Sequence, residues 1–375
     1  MKDRIVRCEW WDVEISARTR WWFVRLVTAR GESGYGECSD AGAAADVEAA
    51  LRAVSALAAG CNALADREPI LRALGARSGA ARTAAQRHLA ATVASAVECA
   101  LDDLAAQRAA IPLWRLFAES IETREIELYA NINRGLRDRS ARGFAHAAAR
   151  AVEDGYGSVK CAPFDDAPNE GEDLAGSGLA RLSAMRDAIG SRALLFVDVH
   201  HRLPLADVLA IVPALESLGV GWLEDAVAFD RIDDLRRLKA ATAMQLAGGE
   251  QALNLAEIAP ACDAGLLDVV MPDVKHAGLA GALEIARYAA AGGARVSLHN
   301  PTGPVATAAS LHATAALPRP SLLEFAYDEH PERAALVTPC ERPQAGRLAV
   351  PAGAGLGVAL DLTGTSFTQL TAARG

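Results

Sequence analysis

From residue 126 onward the chain alternates with a steady rhythm. Short apolar runs end in a polar residue, and each is followed by an Ala/Leu-rich stretch of helical periodicity. The runs are IELYANIN (126–133), YGSVKCA (156–162), ALLFVD (193–198), VGWLED (220–225), MQLAGGE (244–250), LLDVVMPD (266–273), ARVSLH (294–299) and SLLEFA (321–326). Strands alternating with helices imply parallel pairing, and eight such units close a barrel. The predicted class is α/β, a (β/α) barrel over residues 126–339.

The first 125 residues follow another pattern. Residues 5–16 and 21–28 (WWFVRLVT) alternate as strands do and lead into a Gly-rich turn and GYGE at 34–37. From Ala41 to about Phe117 the text is Ala/Leu/Arg-rich and helical, as in LAATVASAVECALDDLAAQ. Strands followed by a run of helices predict a small separate α+β lobe. A length of 375 residues accommodates both units, since single cores stop growing near about 250–300 residues. The polar stretch Asp165–Asp173 reads as a solvated loop after the second barrel strand.

The strand ends carry a ladder of polar groups. Asp198, Glu224 and Glu250 are spaced by 26 and 26 residues; Asp273, His299 and Glu324 follow at 23, 26 and 25. Each interval is one βα unit, so the six fall in one ring at the C-terminal mouth of the barrel, where active sites of this fold lie. A lone acid at a strand end is a solvated carboxylate. Three converging acids repel one another, and a divalent cation removes that cost. Oxygen-only ligands favour a hard ion, Mg²⁺ before Mn²⁺ or Ca²⁺. Residues i and i+2 share a strand face, so His200 points with Asp198, and Asn131 points with Asn133. Lys160 ends the second strand, with Ala162 as its same-face neighbour, and Lys275 lies two beyond Asp273. His201, His276, His312 and His330 read as structural or surface histidines.

Composition narrows the partners. Hydrophobic residues make up 51% and charged ones 23%, and 38 basic against 47 acidic residues give a net charge of −9. No Lys/Arg-rich block stands out, which argues against nucleic acid and anionic membranes. An anionic substrate would need local cations or a bound metal. Seven scattered cysteines without a CxxC pair read as free thiols of a reducing compartment. The N-terminus lacks the apolar core of a signal peptide, and charges interrupt the Ala-rich stretch 41–65. The expectation is a cytoplasmic protein.

Mg²⁺ beside a His and an Asp suits removal of a proton next to a carboxylate, because the metal takes up the charge developing on the enediolate. Asp273 and His299 end adjacent strands and can form a dyad in which the Asp fixes the tautomer of the base. Glu324 can donate to a substrate carboxylate if neighbouring anions keep it protonated. The motifs GYGE, FVDVHHR, WLEDAV, AGGEQA, DVVMPDVKHAG, SLHNPTGPVA, LLEF and GLGV (355–358) together resemble the mandelate racemase subgroup of the enolase superfamily. The resemblance implies one Mg²⁺ on Asp198, Glu224 and Glu250, a dyad of Asp273 and His299, and Glu324 as the acidic electrophile. It also implies a modified barrel, a capping domain of residues 1–125 completed by the tail from about 340 to 375, and a homo-oligomer.

Departures from the family pattern bear on the reaction. Racemases of the subgroup carry a KxK pair whose second Lys is the opposing base; here the pair reads Lys160-Cys161-Ala162. Asp198-Val199-His200 instead resembles the acid-sugar dehydratases, D-galactonate dehydratase among them, whose DxH motif supplies an acid to the leaving hydroxyl. HNPTGP likewise resembles their HCPLGP, whereas WLEDAV departs from the usual EEP. The expectation is a Mg²⁺-dependent dehydratase of an acid sugar or related 2,3-dihydroxy carboxylate, with His299, Asp273, His200, Lys160 and Glu324 as its chemistry. The alternatives are an epimerase or racemase with Lys160 or Lys275 as the opposite base, and a non-catalytic metal-binding barrel. In this family the segments Ser16–Trp21 and Cys38–Gly42 reach over the mouth, which makes Arg18, Arg20 and Trp21 candidates for the distal substrate end. Asn131, Asn133 and Lys275 are further candidate substrate contacts.

Overall fold

The structure, a computed structural model, describes residues 2–16, 19–79, 83–166, 173–319, 321–361, 368–369 and 373–374. In its N-terminal part, β1 (Ile5–Glu14), β2 (Arg20–Thr28) and β3 (Ser33–Glu37) pair antiparallel in that order. The helices α1 (Ala44–Ala58), α2 (Arg67–Gly79) and α3 (Ala84–Arg108) follow. A capping box starts α3: the Thr83 side chain accepts from Gln86 N, and the Gln86 side chain accepts from Thr83 N. Two otherwise orphaned donors are thereby satisfied. GYGE explains how closely β3 lies on α3. A Cβ on Gly34 would stand 2.0 Å from Ala100 O, and one on Gly36 1.9 Å from Ala96 O. Only glycine permits that approach. Trp10, Trp22, Val24, Leu51, Val97 and Leu101 belong to the hydrophobic cluster that this sheet and its helices share.

The barrel strands are β4 (Glu125–Asn131), β5 (Ser158–Cys161), β6 (Leu194–Asp198), β7 (Val220–Glu224), β8 (Gln245–Gly248), β9 (Val269–Val270), β10 (Arg295–Val296) and β11 (Leu323–Ala326). Between them run α4 (Ala141–Glu153), α5 (Leu174–Ile189), α6 (Leu205–Ser217), α7 (Ile232–Ala241), α8 (Leu255–Asp263), α9 (Val274–Ala291) and α10 (Pro304–Ala315). The strands pair in parallel in the order β10-β9-β8-β7-β6-β5-β4-β11. At the seam between β10 and β11, side chains make the bridge. Ser297 Oγ donates to Leu322 O at 2.8 Å, and Asn300 Nδ2 donates to Glu324 O at 3.0 Å.

The sixth and seventh strands are shorter than their apolar runs, two residues each. Pro272 has no N–H to continue the ladder, and the chain turns at Asp273 into α9. His299 N nevertheless donates to Pro272 O at 3.2 Å, so the two segments still run side by side. Asp273 and His299 therefore stand on turns just beyond their strands, as does Glu250, whereas Asp198, Glu224 and Glu324 are strand residues.

Period two also builds the floor of the site. Tyr129, Phe196 and Trp222 lie two residues before Asn131, Asp198 and Glu224 and face the barrel interior with Ala247, Val269 and Met271. Phe196 stacks on Trp222 at 3.6 Å, and Tyr129 meets both edge-on. Burying an apolar side chain of this size contributes about 1.5–3 kcal/mol.

The C-terminal segment returns to both parts. β12 (Val337–Thr338) pairs with β14 (Ala359–Leu360), and β13 (Arg347–Ala349) pairs with β4. β15 (Thr368–Gln369) and β16 (Ala373–Arg374) extend the N-terminal sheet along β1. Asp103 on α3 accepts from Tyr35 N at 3.0 Å and from Leu356 N at 2.8 Å, tying GYGE and GLGV to one carboxylate. The seven cysteines are free. No described helix is long and apolar enough to cross a membrane.

Candidate active site

Parallel strands β6 and β7 bring Asp198 and Glu224 into register, and the turn after β8 adds Glu250. One carboxylate oxygen from each lies within 4.8 Å of the others, and all three residues are buried. Burial raises the pKa of every member, and the neighbours then separate them. His299 pulls Glu250 well below the usual carboxylate range, and His200 and Lys160 pull Asp198 down. Glu224 stays well above that range, because burial and the charges of Asp198, Glu324 and Glu250 outweigh Lys160. An all-oxygen donor set with one over-raised carboxylate fits a hard divalent cation such as Mg²⁺.

Two imidazoles face this triad. His299 Nδ1 stands 2.7 Å from Asp273 Oδ2, and its Nε2 stands 2.8 Å from Glu250 Oε2. Burial alone would lower the His299 pKa; Glu250, Glu324 and the bond to Asp273 hold it well above the ordinary value. Asp273 Oδ1 accepts from Lys275 N at 2.7 Å as the N-cap of α9, which fixes the carboxylate plane. His200 repeats the pattern. Its Nδ1 stands 2.7 Å from Asp165 Oδ1 and its Nε2 2.9 Å from Asp198 Oδ2. Burial lowers its pKa, but Asp198 and Asp165 raise it to about 11.

Lys160, fully buried on β5, puts Nζ 2.5 Å from Glu224 Oε1, 2.8 Å from Glu324 Oε1 and 3.5 Å from Asp198 Oδ2. Glu324 also accepts from Asn131 Nδ2 at 2.6 Å and from Asn300 N at 3.0 Å. This corrects one expectation: Glu324 is not kept protonated by nearby anions. Burial raises it, but Lys160, His299 and these donors outweigh burial and hold it below its usual range. Ala162 is buried where a second lysine would stand, and its N donates to Asn133 Oδ1 at 2.5 Å.

Asn131, Asn133, Lys160, Asp198, His200, Glu250 and His299 line one cleft of about 680 Å³, together with Ser16, Thr19 and Asp40 of the N-terminal segments. Glu224, Asp273 and Glu324 stand directly behind this lining, while Arg20, Trp21 and Lys275 do not line it. Arg18 lies outside the described residues. Arg20 is paired to Asp12 and Glu14 across the β1–β2 hairpin, because its strand position points it along the sheet. Trp21 is wholly buried beneath Arg333. Lys275 is buried with Nζ 3.2 Å from Asp40 and 3.4 Å from Asp273, and is not among the residues lining the cleft. His312 binds Leu356 O at 3.1 Å, a structural contact.

Asp165, Arg134 and Asp40 are among the lining residues that sequence reasoning missed. The sequence reads Asp165 as part of a solvated loop, whereas the structure places it in the cleft lining beside His200. Arg134 and Asp40 form a two-pronged pair at 3.2 and 3.0 Å across 94 residues, which spacing alone does not reveal.

Fold and site define the class, and comparison with known proteins agrees: the chain belongs to the enolase superfamily, with the family Enolase C-terminal domain-like matching residues 143–364. D-gluconate dehydratase of Thermoproteus tenax is 30% identical over 276 residues, 72% of this chain and 55% of that protein, so the chain spans about half the length of that relative. D-galactonate dehydratase of Ralstonia nicotianae is 28% identical over 306 residues, 78% of this chain and 75% of that protein. Among solved structures, an enolase superfamily member from Salmonella Typhimurium gives a TM-score of 0.85 at 20% identity, covering 98% of this chain and 100% of that one. A mandelate racemase/muconate lactonizing enzyme-like protein from Rubrobacter xylanophilus gives 0.84 at 25% identity, covering 96% of each chain.

Proposed function

We propose that this chain is a Mg²⁺-dependent dehydratase of acid sugars or related 2,3-dihydroxy carboxylates. The observation that carries the reading is the pair of imidazoles, His200 and His299, each turning Nε2 to a carboxylate of the same triad from its own wall of the cleft. Strands β6 and β10 stand four apart in the eight-strand order, so the two rings can serve opposite sides of one substrate.

Asp198, Glu224 and Glu250 would hold the ion, which supplies Lewis-acid stabilisation of charge on a bound carboxylate. His299 Nε2 removes the α-proton, with Asp273 on Nδ1 keeping the required tautomer. Lys160 Nζ donates to the enediolate oxygen, and Glu324 and Asn131 hold that lysine and its surroundings in place. His200 Nε2 gives a proton to the departing 3-hydroxyl; the resulting enol becomes a 2-keto-3-deoxy acid. The engagement of Lys275 Nζ by Asp40 and Asp273 speaks against its use as an opposite base in an epimerase.

The same reading takes residues 1–125 and the tail from about 340 as a cap over the barrel, with a small carboxylate as partner rather than nucleic acid or membrane. It includes a cytoplasmic homo-oligomer. Incubation of the Mg²⁺-loaded protein with a panel of acid sugars tests the activity. Keto-acid product is expected from at least one, and its absence across the panel would count against dehydration.

A further inference from the structure

Asp165 follows β5 by four residues and opens the polar stretch that the sequence suggests is merely solvated. In the structure its Oδ1 lies 2.7 Å from His200 Nδ1. Its other ionic neighbours are weaker, Arg202 Nε at 3.6 Å and Arg139 Nη2 at 3.9 Å. The arrangement duplicates the Asp273–His299 dyad: a non-ligand aspartate holds Nδ1, and Nε2 faces a ligand carboxylate. His200 has unusual backbone geometry as well. It and His201 both occupy the left-handed region, at φ 47° and 54°, a conformation that non-glycine residues keep only where surrounding contacts enforce it. His200 N donates to Asp198 Oδ1 at 3.0 Å, so the backbone is held from one side and the ring from the other.

We propose that Asp165 is the positioning residue of the leaving-group acid, holding His200 by Nδ1–H so that Nε2 is turned to the 3-hydroxyl. This rests on the dehydratase reading. In the step concerned, the C2–C3 double bond forms as the C3–O bond breaks. The His200 Nε2 proton goes to the departing oxygen, which leaves as water. The α-proton removed earlier stays on His299. Without Asp165 the ring can turn over or take the other tautomer, and the proton is no longer delivered.

A substrate whose leaving group needs no proton separates this role from a structural one. The wild type, Asp165→Asn and His200→Asn are each given an acid sugar that the wild type dehydrates and its 3-deoxy-3-fluoro analogue, which leaves as fluoride. For Asp165→Asn, water loss should fall about 10- to 100-fold, the usual effect of removing a partner that orients a functional histidine. Fluoride loss and α-proton exchange should hold near wild-type rates, and adding Asp165→Asn to His200→Asn should cost nothing further. An equal fall on both substrates, or unchanged water loss, would overturn the proposal while leaving the dehydratase reading intact. If the wild type dehydrates no acid sugar of the panel, the dehydratase reading fails and this role fails with it. Asp165→Ala, which removes the acceptor outright, replaces Asp165→Asn if that variant unfolds below the wild-type melting temperature.

Discussion

Asp273 Oδ2 stands 2.7 Å from His299 Nδ1, and that single contact commits the other nitrogen of the base to the cleft. Asp273→Asn preserves the shape and can still cap α9, but its amide can present a donor where the imidazole needs an acceptor. Exchange of the substrate α-proton with solvent deuterium, followed by NMR, should slow by about 10- to 100-fold. The melting temperature should change little. A variant that exchanges at the wild-type rate would remove Asp273 from the machinery.

The carboxylate triad predicts a metal effect on stability as well as on activity. A ligand that binds only the folded state stabilises it by RT ln(1 + [L]/Kd), about 2.7 kcal/mol at a hundredfold excess over Kd. Mg²⁺ should therefore raise the melting temperature of the chelator-treated wild type. Glu224→Gln keeps the size but removes a ligand charge, and titration calorimetry should show Mg²⁺ affinity reduced by at least about tenfold. Equal affinity in both proteins would place the ion elsewhere.

Glu329, which lines the same cleft, offers a test of the electrostatics outside the carboxylate triad. Its side chain is fully buried, 3.9 Å from Arg134 and 3.7 Å from Arg333, and neither carboxylate oxygen has a hydrogen-bond partner. Burial raises its pKa from 4.5 to about 7 despite the two arginines. The folded state thus binds this proton more tightly than the unfolded chain does. Its contribution to stability is fully present below pH 4.5 and is lost as the pH rises through about 7. Glu329→Gln should remove that slope. Between pH 5.5 and 8.5, denaturant titrations should show the variant gaining on the wild type by on the order of 2 kcal/mol. A difference independent of pH would mean that Glu329 does not titrate there.

How much of this was legible in the sequence follows from what sets each feature. The barrel order and the triad could be read because one βα unit has a nearly constant length, which carries Asp198, Glu224 and Glu250 to the same height in the ring. The two-residue period pointed His200 with Asp198, but His200 lies past the end of β6 in a left-handed turn, and that turn rather than the strand period brings its ring to Asp198. Features made by loops from distant elements could not be read this way. Asp165 meets His200 across 35 residues and Arg134 meets Asp40 across 94, contacts between distant segments that no local spacing records. The sequence places Arg20 in the Ser16–Trp21 segment over the mouth and begins the strand at Trp21, whereas β2 begins at Arg20: Arg20 remains with Asp12 and Glu14, and Trp21 is interior. The charge on Glu324 depends on Asn131, Lys160 and Asn300, three donors from three elements.

The central claim is that His299 removes the α-proton and His200 expels the hydroxyl. His200→Asn tests it most directly, with solvent-deuterium exchange and keto-acid formation measured in the same Mg²⁺-containing sample. Exchange should survive near the wild-type rate while dehydration falls about 10²- to 10⁴-fold, the range expected for loss of a general acid. An equal loss of both activities, or dehydration that persists, would contradict the division of labour between the two histidines.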